Sequence, residues 1–178
     1  MHTVESDIDL AVYGAQNFRK LEGTIAKLVE ERTLTYMINN RLDKARLYKG
    51  HYLNKIFMYN AVRKPEEVNS KYGTYKYVPV NPVRFQCTVR DDSEAMFRPA
   101  IYEIENYEPV YPASIVSEDK IPKVVISMIG CYRNVVKRGG KIEVSGMLER
   151  VENVKTGEIF YQVVVGTGMN ENECIRPL

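Results

Sequence analysis

Two aspartates near the start of the chain, Asp7 and Asp9, are the residues whose types and spacing point most directly to chemistry. They stand one residue apart in VESDIDLAVYG (residues 4–14), which has the pattern of a β-strand. Successive side chains of a strand point to opposite faces, so both carboxylates are expected on one face. Two neighbouring carboxylates repel each other unless a cation lies between them, and hard oxygen ligands suit Mg²⁺ or Mn²⁺. The alternative is that the two acids only keep one face of the strand in contact with water.

The residues around this pair resemble a known family. Ser6-Asp7-Ile8-Asp9-Leu10, then Val12-Tyr13-Gly14 and a predicted amphipathic helix, are similar to the core motif of the DNA polymerase β-type nucleotidyltransferase superfamily, in particular to its archaeal predicted nucleotidyltransferases. The later segments LYKGHY, DDSEAMF, GCYR and GMLERV also look like that archaeal family, so the resemblance covers nearly the whole chain. It implies that Asp7 and Asp9 are catalytic metal ligands and that Ser6 contributes to nucleotide binding.

The chain departs from the family pattern at two places. The family's Gly-Ser turn, which holds the triphosphate, comes before the Asp-x-Asp strand, but only five residues precede Ser6. The family's third carboxylate comes from a later strand, but residues 51–62 carry no acid and Gln86 stands in the middle of VRFQCTV. The acids nearest to that strand are interpreted as solvated turn residues: Asp91, Asp92 and Glu94.

These observations give three hypotheses. The first is a nucleotidyltransferase, or a truncated form that is inactive as written, which transfers a nucleoside monophosphate from a nucleoside triphosphate to a hydroxyl of RNA, DNA or protein with Mg²⁺ or Mn²⁺. The second is a non-catalytic nucleic-acid-binding protein that uses the basic middle of the chain and a C-terminal barrel. The third is a structural or partner-binding module.

The charges are unevenly distributed along the chain. Residues 41–90 hold 11 basic and 3 acidic residues, whereas residues 91–120 hold 2 basic and 8 acidic ones. Basic residues interleaved with tyrosines are typical of nucleic-acid surfaces, because the charges follow phosphates and the rings stack on bases. The other interpretation is that the two segments neutralise each other and that the tyrosines pack a domain junction. The candidate nucleic-acid-binding residues are Lys49, Tyr52, Lys55 and Arg84, with a further basic cluster around Gly139-Gly140 that also fits a solvated hairpin tip: Arg133, Lys137, Arg138 and Lys141.

The composition is typical of a globular protein, with 44% hydrophobic and 27% charged residues. No apolar run approaches the roughly 20 residues that a membrane helix needs, and no secretion signal is recognisable, so no membrane partner is expected. The spacing of Cys87, Cys131 and Cys174 does not predict a zinc site, and a reduced, cytoplasmic setting fits them best. The sequence leaves the oligomeric state open.

The periodicity predicts an α+β fold in two domains. Residues 1–80 are expected to form a partial nucleotidyltransferase-like α/β domain, residues 81–170 a five-stranded barrel of the oligonucleotide-binding type, and residues 171–178 a flexible tail. In the first domain the predicted elements are a strand at 7–13, helices at 18–31 and 34–47, a strand at 51–62 and a linker at 63–82. In the second they are strands at 83–90, 95–107, 123–133, 141–151 and 158–166.

Overall fold

The structure is a computed structural model, and it describes residues 7–68 and 70–178. The chain divides after Val68 into two compact units. Among the described residues, no helix combines the length and the apolar character needed to span a membrane.

The first unit is a mixed sheet with helices. Within residues 7–68 its elements are β1 (Ile8–Tyr13), α1 (Ala15–Glu30), β2 (Thr35–Tyr36), α2 (Arg41–Arg46), β3 (Lys49–Tyr52) and β4 (Lys55–Val62). The strands lie in the order β1-β4-β3-β2, with β1 parallel to β4 and the other pairs antiparallel. The helix α1 therefore belongs to the connection that carries the chain between two parallel strands, as parallel pairing requires.

The helix α1 packs on one face of this sheet through an apolar stripe. Phe18 and Ile25 are buried, and the Phe18 ring lies 5.6 Å from that of Tyr59 on β4. Phe57 and Ala61 are the other buried residues of β4, and they share this face with Tyr59 because strand side chains alternate. The opposite face of the sheet is therefore the one that Asp7 and Asp9 can occupy.

The second unit is built on a closed five-stranded barrel. Residues 70–178 contain β5 (Tyr75–Asp91), β6 (Ala100–Pro109), β7 (Val124–Ser127), β8 (Lys141–Asn153), β9 (Ile159–Val165) and β10 (Cys174–Pro177). Strands pair in the order β5-β6-β7-β9-β8, and β8 returns to β5 and closes the barrel. All these pairs are antiparallel except β7 with β9. The mixed α+β fold and the five-stranded barrel are thus confirmed, and the barrel is of the oligonucleotide-binding type.

The strand β8 changes partner along its length. Its first residues pair with β10 and its later residues with β9, while β5 runs along its other edge throughout. Gly146 lies at the change, where an added Cβ would come within 2.5 Å of the Val164 carbonyl oxygen. The barrel interior is filled by fully buried apolar side chains, among them Phe85, Val89, Val144, Leu148 and Val163.

Several predicted elements differ in the structure. Residues predicted as one helix at 34–47 contain the short strand β2 and the short helix α2, because the Asn40 side chain accepts the Asp43 N–H and starts the helix there. The predicted strand at 51–62 is a hairpin of β3 and β4. The predicted linker at 63–82 includes the start of β5, which pairs with the end of β8, and the predicted tail contains β10.

Candidate functional site

The aspartate pair lies on the free face of an edge strand. Asp9 is in β1 and Asp7 directly precedes it, and both residues are exposed. Alternation puts them on the face opposite to Ile8 and Leu10, which are paired with Phe57 and Tyr59 on the side of α1. The register fixes the face of Asp9. The shared orientation of the two carboxylates stays a prediction for Asp7, which precedes the paired residues.

Three residues of the neighbouring strands share the aspartate face. Asp9 is paired with Met58 of β4, and Met58 is paired in turn with Lys49 of β3. Asn60 of β4 is paired with Ala11, so it is a diagonal neighbour of Asp9 on this face. Asn60 was not predicted from the sequence, where an acid was expected on this strand. Only the strand register shows that Asn60 shares a face with Asp9.

Lys49 already has a carboxylate partner. Its Nζ lies 3.1 Å from Oδ2 of Asp43, a nearly buried residue of α2. This contact with Asp43 raises the pKa of Lys49. Asp43 also accepts the backbone N–H of Asn39. Lys49 therefore attaches α2 to the sheet. The sequence had suggested Lys49 as a nucleic-acid-binding residue, and this structural role was not predicted.

The oxygen-containing side chains on this face are of the type that binds a hard divalent cation. Asp7 and Asp9 offer carboxylate oxygens, and Asn60 offers an amide oxygen, which are the ligand types that Mg²⁺ and Mn²⁺ take. Within residues 7–68 and 70–178, no group of three or more His, Cys, Asp or Glu side chains is arranged to hold a metal.

The first backbone N–H of α1 is engaged within the protein. The Ala15 N–H donates to Oε1 of Glu67 at 2.9 Å, and the Lys64 N–H donates to Oε2 of the same carboxylate at 2.9 Å. These two hydrogen bonds lower the pKa of Glu67. Glu67 therefore occupies the place where the N-terminus of α1 could otherwise bind a phosphate. Ser6, the predicted nucleotide-binding residue, lies outside the described residues.

The predicted nucleic-acid-binding residues are divided between faces and units. Tyr52 and Lys55 are paired across the tip of the β3–β4 hairpin, and they share the Phe57 face rather than that of Lys49. Arg84 belongs to the second unit. Tyr52, Lys55 and Lys49 thus do not form one surface on the sheet.

The acidic and basic turns of the barrel are engaged locally. Asp91 accepts the hydroxyl of Ser93, and Asp92 accepts the backbone N–H of Arg138. Lys137 donates to Asn134, and Arg133 donates to the Gly130 carbonyl. These contacts fit the interpretation of both segments as turns.

A groove of about 520 Å³ opens on the outer surface of the second unit. Its polar lining includes two arginines, a tyrosine, two serines and two asparagines: Arg84, Arg176, Tyr111, Ser114, Ser145, Asn170 and Asn172. Of these, the sequence reading proposed Arg84 alone. The others come from the long β6–β7 connection, from β8 and from the segment that ends in β10, and no sequence spacing connects those parts of the chain.

The chain is distantly similar to an archaeal protein. The chain is 26% identical over an alignment of 198 residues to "Uncharacterized protein MJ1086" of Methanocaldococcus jannaschii. The alignment covers 99% of this chain and 55% of that protein, so the chain spans about half the length of the relative. No protein-family model matches the chain. No solved structure matches it significantly.

Proposed function

We propose that this chain is the metal-binding part of a nucleotidyltransferase of the DNA polymerase β type. The observation that carries the proposal is the position of Asp9 on the face of β1 opposite to α1, with the exposed Asp7 directly before the strand. The resemblance of the surrounding residues to the archaeal nucleotidyltransferases supports the same assignment.

In the proposed reaction an acceptor hydroxyl attacks the α-phosphorus of a nucleoside triphosphate. A new phosphorus–oxygen bond forms and pyrophosphate leaves. A divalent ion, when bound, supplies neutralisation of phosphate charge. Asp7 and Asp9 would hold that ion by their carboxylates, and the parallel pairing of β1 with β4 fixes the position of Asp9 in the sheet. Most of the rate of phosphoryl transfer comes from such positioning and charge stabilisation.

The proposal assigns only part of an active site. The triphosphate needs further donors, and the start of α1 does not supply them, because Glu67 accepts the Ala15 N–H. The matched relative extends well beyond this chain. The complete reaction is therefore proposed for the whole protein, and metal binding for this chain.

Binding of Mn²⁺ to the full chain, followed by electron paramagnetic resonance, tests the proposal. Asp7→Asn and Asp9→Asn are each expected to weaken Mn²⁺ binding at least about tenfold, since each removes a charged ligand. Glu31→Gln, which removes an exposed charge at the end of α1, is the matched control and should bind Mn²⁺ like the wild type. Equal affinities in Asp9→Asn and Glu31→Gln would overturn the metal assignment. Nucleotide incorporation by the longest natural form of the protein, lost in Asp9→Asn, would establish the reaction.

A second candidate function is nucleic-acid binding by the barrel. The observation that favours it is the five-stranded barrel of oligonucleotide-binding type, together with the arginine-containing groove on its surface. Binding of RNA or DNA that weakens steeply with salt and is unchanged in Asp7→Asn would support this function. The two functions are compatible, because an acceptor strand bound by the barrel would be a substrate for nucleotidyl transfer.

A further inference from the structure

The floor of the groove is a polar patch across three strands. On the outer surface of the barrel, Ser145 of β8 is paired with Arg84 of β5 on one side and with Cys174 of β10 on the other. One step along the same face, Glu143 of β8 stands between β5 and Arg176 of β10. The pairing of β10 with β8 therefore brings a second arginine to the face that already carries Arg84.

Both arginines of the patch lie beside the Glu143 carboxylate. Both Nε and Nη2 of Arg84 donate to Oε1 of Glu143, at 3.1 and 2.7 Å, so this guanidinium is held in place. Arg176 lies farther away, with Nη1 at 3.8 Å from the same oxygen, and its side chain is 63% exposed. One carboxylate thus faces two guanidinium groups, and that of Arg176 is the more exposed of the two.

An aromatic ring stands at one side of the groove. Tyr111 is 50% exposed, and its hydroxyl accepts a hydrogen bond from Nη1 of Arg84 at 3.0 Å. The Ser114 hydroxyl accepts the backbone N–H of Arg84, which fixes the connection that carries Tyr111 against β5. Asn170 and Asn172, two amide side chains, line the groove as well. The ring is therefore held beside the cationic patch.

We propose that this groove binds single-stranded nucleic acid, with a phosphate at Arg176 and the neighbouring base stacked on Tyr111. The proposal rests on the nucleic-acid-binding function proposed for the barrel, and it names the site and the kind of strand. Cationic side chains that follow the backbone, next to aromatic rings on which bases stack, are the means by which single strands are bound without strong sequence preference. Asparagine amides can hydrogen-bond to the edges of unpaired bases.

The dimensions of the groove favour a single strand over a duplex. A volume of about 520 Å³ lies in the range of pockets that enclose one small ligand, which is the scale of a nucleotide or two. A duplex keeps its bases stacked on each other, so an exposed tyrosine would have no base to stack on. The groove also lies on β5, β8 and β10, the first and fourth strands of the barrel and one added strand, and not on the second and third strands that oligonucleotide-binding barrels commonly use.

Fluorescence anisotropy with a labelled ten-nucleotide oligouridine and with a duplex of the same length tests the proposal on the full chain. The wild type is expected to bind the single strand about tenfold or more tightly than the duplex. Tyr111→Ala and Arg176→Ala are each expected to weaken single-strand binding by about tenfold. In Arg176→Ala the slope of log affinity against log salt should fall by about 0.7, the value for one lost phosphate contact on a single strand.

Arg90→Ala is the matched charge control. Arg90 is on β5, it is exposed and paired with Glu103, and it does not line the groove. Its replacement removes the same charge from the same unit and should change affinity less than twofold. If the wild type binds the oligonucleotide but Arg176→Ala and Tyr111→Ala bind it as tightly as Arg90→Ala does, the groove is not the binding site and nucleic acid binds to another surface. Equal affinity for the duplex overturns the single-strand assignment. If the wild type binds neither oligonucleotide, the nucleic-acid-binding function itself is wrong.

Discussion

At the scale of single residues, Tyr102 shows how one buried hydroxyl holds a loop of the barrel. Its ring is fully buried in β6, and its hydroxyl donates to the Tyr132 carbonyl at 2.6 Å and accepts the Val135 N–H at 3.0 Å. Tyr102→Phe would leave these two backbone groups without that partner. We expect it to lower the free energy of unfolding by about 1–3 kcal/mol, measured by urea denaturation.

Tyr72→Phe is the control for this prediction, since Tyr72 is fully exposed in a turn before β5. Surface changes of this kind stay within about 0.5 kcal/mol. If the two variants were equally stable, the hydroxyl of Tyr102 would not hold the loop.

The same scale shows which site residues can be read from sequence. Asp7 and Asp9 are two positions apart, and strand alternation alone predicts that they share a face. The Glu143 contacts of the groove are different, because Arg84 and Arg176 stand far from Glu143 in the chain and meet it through pairing on the two edges of β8. Such pairing is set by the whole barrel, so local patterns predict the aspartate pair and not the groove.

At the scale of elements, the start of α1 depends on a carboxylate that lies far along the chain. Gly14 precedes the helix with a φ of 89°, and as a glycine it has no side chain that could cap the helix. The Glu67 carboxylate accepts the Ala15 N–H instead. Glu67→Gln should therefore lower the stability of the protein at pH 7. Because the folded state lowers the pKa of Glu67, its stabilising contribution is complete above the ordinary glutamate pKa of about 4.3 and is lost as the pH falls through the lower folded value.

Thermal unfolding of wild type and Glu67→Gln between pH 7 and pH 3 measures this contribution. The difference between their melting temperatures should be largest at neutral pH and should shrink below pH of about 4.3. Glu66→Gln removes the exposed acid next to it in the same turn, and it controls for net charge. A difference between wild type and Glu67→Gln that stays constant with pH would show that the cap does not act through its charge.

Elements with a strong local signal were predicted well, and those set by distant pairing were not. The helix α1 has an apolar stripe with a 3.6-residue period, and it was predicted close to its observed bounds, as were the alternating strands β8 and β9. The bounds of the other barrel strands were predicted less well, since β5 begins earlier than predicted, β6 begins later and β7 ends earlier. The helix α2 was predicted too long, since its start is set by the Asn40 cap. The strand β10 has only four residues and depends on β8 for its pairing, which no local pattern reveals.

At the scale of the whole molecule, the two proposed activities belong to different compact units, and this makes them separable. Asp7 and Asp9 lie in the first unit, whereas Arg176 and Tyr111 lie in the second. Each substitution changes an exposed side chain of one unit and leaves the packed core of the other intact. Effects at sites with no shared contacts are additive.

Asp9→Asn should therefore abolish Mn²⁺ binding and leave the affinity for single-stranded oligouridine within twofold of the wild type. Arg176→Ala should do the reverse, with about tenfold weaker binding of the oligonucleotide and unchanged Mn²⁺ affinity. The double variant should show both losses, each of the size seen in the single variant. A double variant whose losses differ from those of the single variants would mean that metal and strand bind to one coupled site, and the acceptor strand would then have to reach the aspartates when it is bound.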